Sequence, residues 1–267
     1  MGYGPPPPGE ILNGLDLHSG CGGLALALAP WVRPLAYVEA NSTSQALLCS
    51  RMVGGDLPLG PIWDDLRTLD GRFFGDAIDI ITATVTVGIE RHQGVEGEHA
   101  DVLFEVCRLA DETRTDFVFI AANRAPAPRR LERFVRALAD RGLDSRWDSL
   151  STRQINAPYD QRAFFLLAAR PFDGKEWFSA APLEEPRPAS IDWQDSRYWR
   201  AVPRLPRVVE GLPLQMGRNR ALRDGVVPLL ARAAFKMLIG IEATPLPEQH
   251  SGPGARNYQS RKAVKDQ

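Results

Sequence analysis

Short apolar runs alternate with stretches of helical spacing along most of the chain. Leu12–Leu17 (LNGLDL) reads as a short buried strand. Gly22–Ala29 (GGLALALA) reads as a helix stopped by Pro30, which cannot continue one. Leu35–Glu39 is a second strand, and Ser42–Val53 is a helix with Asn41 or Ser42 as its N-cap. A short third strand precedes the WDDLR segment that contains Asp65. Ile78–Ala83 is a β-branched strand, Asp101–Thr113 an amphipathic helix, and Phe117–Ala122 (FVFIAA) another apolar strand. Arg129–Arg141 is helical, with Gly142 where a C-cap glycine belongs, and Ala163–Ala169 closes the series as a strand. Gly225–Gly240 returns to an apolar helix that should pack back on the sheet. Such alternation predicts an α/β fold, a mostly parallel sheet with helices on both faces.

Punctuation along the chain suggests its organisation. Residues 1–10 are rich in Pro and Gly and read as a disordered tail, as does the stretch 246–267. Residues 11–170 form the expected cofactor and catalytic domain. Residues 171–215, with many prolines and three tryptophans, read as a small irregular subdomain, and 216–245 carry the closing helix. A length of 267 residues suits one large domain with such an appendage. Three scattered cysteines argue against a disulfide framework or a zinc site, so no metal is expected. No apolar run reaches the roughly 18 residues that cross a bilayer, and MGYGPPPPGE lacks the features of a secretory signal. The expected location is the cytoplasm, with no membrane partner. With a net charge of -1, any nucleic-acid contact must use a local basic patch.

Candidate chemistry begins at the end of the first strand. Asp16-Leu17-His18-Ser19 runs into Gly20, Cys21, Gly22 and Gly23. Glycines without a Cβ let the backbone turn tightly and approach a ligand. The S-G-x-G-G spacing departs from G-x-G-x-x-G and so disfavours a nicotinamide cofactor. Glu39 follows about 20 residues on, where an acid accepts from ribose hydroxyls. Asp65, after the third strand, is placed to contact an adenine amino group.

The ordered set of segments resembles the DNA cytosine-5 methyltransferases, particularly the compact phage and bacterial type. DLHSGCGG is similar to the family's DLFSGxGG, and YVEANSTSQALL to its VE-x-D-x-x-x-Q-x-x-L. IWDDLRTLDGR, DETRTDFVFIAAN, NAPYDQRAFFLLAAR and PRVVEGLPLQMGRNRALRDGVVPLLARAAF follow in the family's order, over about residues 11–240. The resemblance implies a Rossmann-like S-adenosylmethionine-dependent methyltransferase fold with a target-recognition-like subdomain at 171–215. It implies S-adenosylmethionine as cofactor. The implied cofactor residues are Asp16, His18, Ser19, Gly20, Cys21, Gly22, Gly23, Glu39, Ala40, Asp65, Leu66 and Val226. Two departures touch this set: His18 stands where a phenylalanine packs on adenine, and Asn41 replaces an Asp.

The family's chemistry needs a cysteine thiolate that attacks C6 of cytosine and so makes C5 nucleophilic. A glutamate hydrogen-bonds the ring, and an arginine supports the adduct. Aligning Asp79-Ile80-Ile81-Thr82 on the family strand puts Thr86, Val87 and Gly88 at the Pro-Cys-Gln positions. The Glu-Asn-Val site falls on Ala121–Arg124, its glutamate on an alanine in either register, with Ala122 as the degenerate position. The eighth motif recovers an arginine, Arg162, only with a one-residue slip, and Arg223-Asp224 replaces the closing Gly-Asn. Cys21, Cys49 and Cys107 read as small buried residues, and His92 and His99 as loop histidines.

A second candidate patch holds Arg197, Arg200, Arg204, Arg207, Arg218, Arg220 and Arg223 among Trp193, Tyr198 and Trp199. Arginines with aromatics suit phosphate contact and base stacking, so DNA is a candidate partner, though Asp192, Asp195 and Glu210 dilute the charge. Arg129, Arg130, Arg133 and Arg136 form another basic run on a helix. Three readings follow. One is a catalytically degenerate methyltransferase homologue that binds the cofactor, DNA, a partner protein or an active paralogue. The second is an active S-adenosylmethionine enzyme that needs no cysteine adduct. The third is a nucleic-acid-binding module without the cofactor.

Overall fold

The computed structural model describes residues 11–87, 98–155, 157, 159–171 and 225–239. Both expected tails, nearly all of the 171–215 subdomain and its arginine patch lie outside the described residues. The elements are β1 (Leu12–Leu17), α1 (Gly23–Leu28), β2 (Val32–Val38), α2 (Ser42–Val53), β3 (Ile62–Trp63) and β4 (Ile80–Val85). They continue with α3 (Glu98–Thr113), β5 (Phe117–Ala122), α4 (Pro128–Ala139), β6 (Asp144–Ser151), β7 (Arg162–Ala169) and α5 (Pro228–Ile239). The strands make one seven-stranded sheet in the order β3-β2-β1-β4-β5-β7-β6. All pairs from β3 to β5 are parallel, whereas β7 runs antiparallel to both β5 and β6.

Local chemistry explains most of the boundaries. Asn41 caps α2, its side chain accepting from the Ser44 N–H at 3.1 Å. Pro128 opens α4, where its missing N–H costs nothing. Three expectations need correction. β2 starts at Val32 rather than Leu35, because a register shift at Gly14/Leu15 lets Pro34, which cannot donate, sit inside the strand. β4 spans Ile80–Val85, two residues beyond the expected run, since Asp79 is occupied by the Asn13 N–H at its carboxylate and by Phe117 N–H at its carbonyl. β6 was not expected at all. Its sequence, DSRWDSLS, is polar because it is the sheet's last strand, with most of its side chains exposed.

Alternation along the strands loads both faces. Leu15, Leu17, Ile81, Val118, Ile120 and Leu166 point to one face and meet Val106 and Leu109 of α3 and Phe134 and Leu138 of α4. Ile80, Phe119 and Phe165 point to the other and meet Leu24 and Leu28 of α1 and Leu230 and Phe235 of α5. Phe119 lies edge-on to Phe235 at 5.2 Å between ring centroids. Each such fully buried side chain stabilises the fold by roughly 1.5–3 kcal/mol. Cys21 and Cys107 are buried as expected, but Cys49 is exposed, on the outer side of α2. No helix among the described residues is long and apolar enough to cross a membrane, and no group of three His, Cys, Asp or Glu there is placed to hold a metal.

Helix α5 returns to the start of the chain through specific contacts. Its Arg232 donates to the carbonyls of Ala27 (2.8 Å) and Leu26 (3.2 Å), the unsatisfied end of α1. A Cβ on Gly23 would lie 2.9 Å from the Val226 carbonyl oxygen, so the approach to α5 needs glycine there. Arg232→Ala should therefore destabilise the protein by about 1–3 kcal/mol, because two carbonyls lose charged donors. Thermal denaturation checks this, and an unchanged midpoint would show that the apolar face alone docks α5.

Candidate functional site

The sheet reverses its winding about β1, between β2 and β4, and open α/β sheets hold ligands beyond the carboxyl ends of such strands. There, beyond Leu17, the chain enters the glycine turn. His18 (φ 48°), Gly20 (φ 56°) and Gly22 (φ 80°) all take left-handed conformations. The turn is tied down by the Ser19 N–H donating to Val38 O at 3.0 Å and by the Arg51 guanidinium donating to Cys21 O at 2.5 Å. Gly22 is needed for its left-handed backbone, where a Cβ would also press on Leu57, and Gly23 is needed by packing, because its Cβ would meet the Val226 carbonyl oxygen at 2.9 Å. Gly20 differs: a Cβ there would find nothing nearer than the His18 carbonyl oxygen at 4.0 Å. Beside Gly20 the turn has room that no described side chain fills.

Glu39 borders that space. Its Oε2 accepts from the Gly20 N–H and its Oε1 from the Asn41 N–H, both at 2.7 Å. A carboxylate offers about four lone-pair positions, so each oxygen can accept once more. Ala40, next along, is exposed. The other acid is arranged differently. Asp65 follows β3, but its carboxylate binds Arg67 through Nε (3.0 Å) and Nη2 (3.1 Å). These Arg67 hydrogen bonds hold the Asp65 carboxyl below the usual carboxylate range. Leu66 is buried in the α3 side of the core, and Val226 packs on Gly23.

Beneath the turn is a buried ionisable group. Asp16 is 1% exposed. Its Oδ1 accepts from the Thr82 hydroxyl of β4 at 2.5 Å, while its Oδ2 is buried with no hydrogen-bond partner among the described residues. The Ser19 hydroxyl donates to the Asp16 main-chain carbonyl at 2.8 Å. Burial pushes the Asp16 carboxyl up to about 7; Thr82 and Ser19 act in the opposite direction, and the Glu39 charge adds to the rise. The sequence offers no sign of the Thr82 contact, which joins residues 66 positions apart.

The positions aligned with the family's nucleophile and acid sit at the same edge of the sheet. Val85 of β4 pairs with Ala122 of β5, and Val87 lies just past that pair. Asn123 fixes Val87: its Oδ1 accepts from the Val87 N–H at 2.7 Å and its Nδ2 donates to the Val87 carbonyl at 3.3 Å. The side chains at this point are thus an isopropyl and a methyl group, held by a two-point amide clamp. Arg162 begins β7 at the same edge, two residues beyond the Phe164–Ala122 pair, and is exposed. Sequence reading had singled out Val87 and Ala122 but not the clamp. Gly88, His92, Arg223 and Asp224 lie outside the described residues, as do Arg197, Arg200, Arg204, Arg207, Arg218 and Arg220. Of the second basic run, Arg136 pairs with Glu132 at 3.4 Å and Arg133 lies over the Phe104 ring.

No protein-family model and no curated protein matches the chain by sequence. Solved structures do. A triple mutant of DNMT2 from Spodoptera frugiperda is 15% identical with a TM-score of 0.50, over 61% of this chain and 52% of that one. The fold is the Rossmann-like fold of S-adenosylmethionine-dependent methyltransferases, in the form that cytosine-5 DNA methyltransferase-like proteins share. Dnmt2 from S. pombe is 19% identical (TM-score 0.46, 61% and 50% covered), and the Entamoeba histolytica methyltransferase EhMeth is 11% identical (TM-score 0.49, 62% and 55% covered). The chain spans about half the length of these methyltransferase structures.

The buried acid gives this methyltransferase fold a definite pH response. A carboxyl whose folded pKa is raised favours folding most below its unfolded value of 3.8, and that contribution is lost as pH rises through about 7. The full loss amounts to roughly 4 kcal/mol if nothing else relaxes. Urea denaturation at about pH 5 and about pH 8 should show the wild type losing stability relative to Asp16→Asn across this window. Parallel responses in the two proteins would mean that Asp16 is solvated in the folded state.

Proposed function

We propose that this protein binds S-adenosylmethionine and acts through binding, as a catalytically degenerate relative of the cytosine-5 DNA methyltransferases. The observation that carries the reading is the Asn123 clamp on Val87 beside Ala122. At this edge the backbone is held in place while neither side chain has a nucleophilic, acidic or basic atom. A valine cannot add to C6 of a cytosine, and an alanine cannot protonate or hydrogen-bond its ring.

The cofactor half of the site supports a retained ligand. Glu39 has acceptor capacity for ribose hydroxyls, the open side of Gly20 leaves room for a backbone-hugging group, and Asp16 has a buried oxygen without a donor among the described residues. An ammonium group is the donor best matched to Asp16, since it satisfies Oδ2 and stabilises the ionised carboxylate together. Asp65 could contribute only by giving up part of its pairing with Arg67. When bound, S-adenosylmethionine would supply an electrophilic methyl group. DNA is the proposed partner of the arginine-rich segment from Arg197 to Arg220, with a partner protein or an active paralogue as the target of regulation.

Titration calorimetry with S-adenosylmethionine tests the binding claim. The wild type should bind, and Glu39→Ala should weaken binding by about 10-fold or more, as expected for charged hydrogen bonds to buried hydroxyls. No heat at high micromolar cofactor would remove the cofactor from the account. For the catalytic claim, labelled cofactor should transfer no methyl group to cytosine in DNA. Val87→Cys alone should not create that activity, because the acid at Ala122 is still missing. Strong cytosine methylation by the single variant would overturn the degenerate reading. Label appearing on another nucleic-acid atom in the wild type would establish the active alternative that needs no cysteine adduct.

A further inference from the structure

The sheet ends on β6, and among the described residues no strand pairs with the outer edge of β6. Its pairing with β7 runs from Asp144↔Ala169 to Ser151↔Arg162. Just past that ladder, the Thr152 N–H bonds Gln161 O, which places even-numbered residues in the hydrogen-bonded positions toward β7. Ser145, Trp147 and Ser149 therefore present their N–H and C=O groups outward. Trp147 is 46% exposed. It completes an apolar groove whose other walls are Pro128, Leu131 and Val135 of α4, with Glu132 and Arg136 at the rim.

We propose that β6 pairs antiparallel with β6 of a second copy of this chain, about a two-fold axis at Trp147. The strand's own sequence selects that arrangement. Centred on Trp147, the overlap covers Asp144–Leu150 and sets Arg146 opposite Asp148 of the second copy, twice by symmetry. Ser145 then faces Ser149. Sliding one pairing step in one direction sets Arg146 against Arg146 and Asp144 against Asp148. Sliding one step the other way sets Asp148 against Asp148. Directly opposite charges on neighbouring strands stabilise a sheet, and like charges destabilise it. The outward-facing odd residues become the hydrogen-bonded pairs, so the Arg146–Asp148 pairs fall where side chains come closest.

The same axis completes the groove. Trp147 lies on the α4 face of the sheet, so the two indoles meet beneath two antiparallel α4 helices. Glu132 of one copy then lies toward Arg136 of the other. In a single copy the Asp148 carboxylate takes the Ser149 N–H at 2.7 Å and so shields one edge donor, a usual device on free edges. Pairing exchanges that local bond for a main-chain bond and an ion pair. A two-fold, self-complementary contact of this kind closes at two copies.

Sedimentation velocity of the full chain over a wide concentration range tests the proposal. It should show a species at twice the chain mass of 29.5 kDa. Asp148→Arg should shift the protein to the monomer at the same concentrations, with unchanged far-ultraviolet circular dichroism. The charge swap Arg146→Asp with Asp148→Arg should recover the dimer, because the same register becomes complementary again. A wild type that stays monomeric at its highest soluble concentration would overturn the proposal. So would a dimer insensitive to Asp148→Arg, or a swap that fails to recover association in a folded protein.

Discussion

The constraint on which this site turns is the carboxyl of Asp16, sealed under a glycine turn with one oxygen bonded to Thr82 and the other without a partner among the described residues. A buried ionised carboxylate without a cation or a full set of donors is costly. The fold meets that cost by letting the group take up a proton near neutral pH. Everything above it is rigid: Gly22 and Gly23 are packed against Leu57 and Val226, and Glu39 holds the Gly20 and Asn41 N–H groups. The combination is a stiff rim over an acid with one oxygen unpartnered among the described residues. A cationic ligand resolves it, which is why the cofactor reading rests on this end of the sheet.

The other end of the site is a backbone frame lined by the apolar side chains of Val87 and Ala122. β4 and β5 run in register to Val85 and Ala122, and Asn123 still ties down the following loop residue. Decay of the fold would have loosened such a contact. On the proposed reading, the reactive groups have been substituted on this frame, which leaves a surface that holds a nucleic acid or a partner without acting on cytosine. An edge strand that pairs two copies would present two such surfaces together, related by a two-fold axis.

Much of this was legible in the sequence where the signal is local. Apolar runs such as FVFIAA can only be buried strands in a chain of this composition, and Asn41 announces the start of α2 through its own side chain. The glycine turn and Glu39 were read from order and spacing, and the Val87 and Ala122 positions from the family resemblance. What stayed hidden depends on distant partners. DSRWDSLS has the polarity of a loop and becomes a strand only because β7 pairs with it on one side. β2 was read only from Leu35, and the register shift at Gly14/Leu15 that takes Pro34 into the strand has no local sign. Cys49 was expected to be buried, but it lies on the solvent side of an amphipathic helix. Nothing near Asp16 in sequence names Thr82, 66 positions away.

The central claim is that the turn over Asp16 still holds S-adenosylmethionine although Val87 has replaced the nucleophile. The most direct test is a crystal structure grown with saturating S-adenosylhomocysteine, which shares the adenosine and amino-acid groups. The account predicts density beside Gly20, with ribose oxygens on Glu39 and a donor on the free oxygen of Asp16. A well-ordered turn with no ligand at saturation, Asp16 remaining bonded to Thr82 alone, would contradict it.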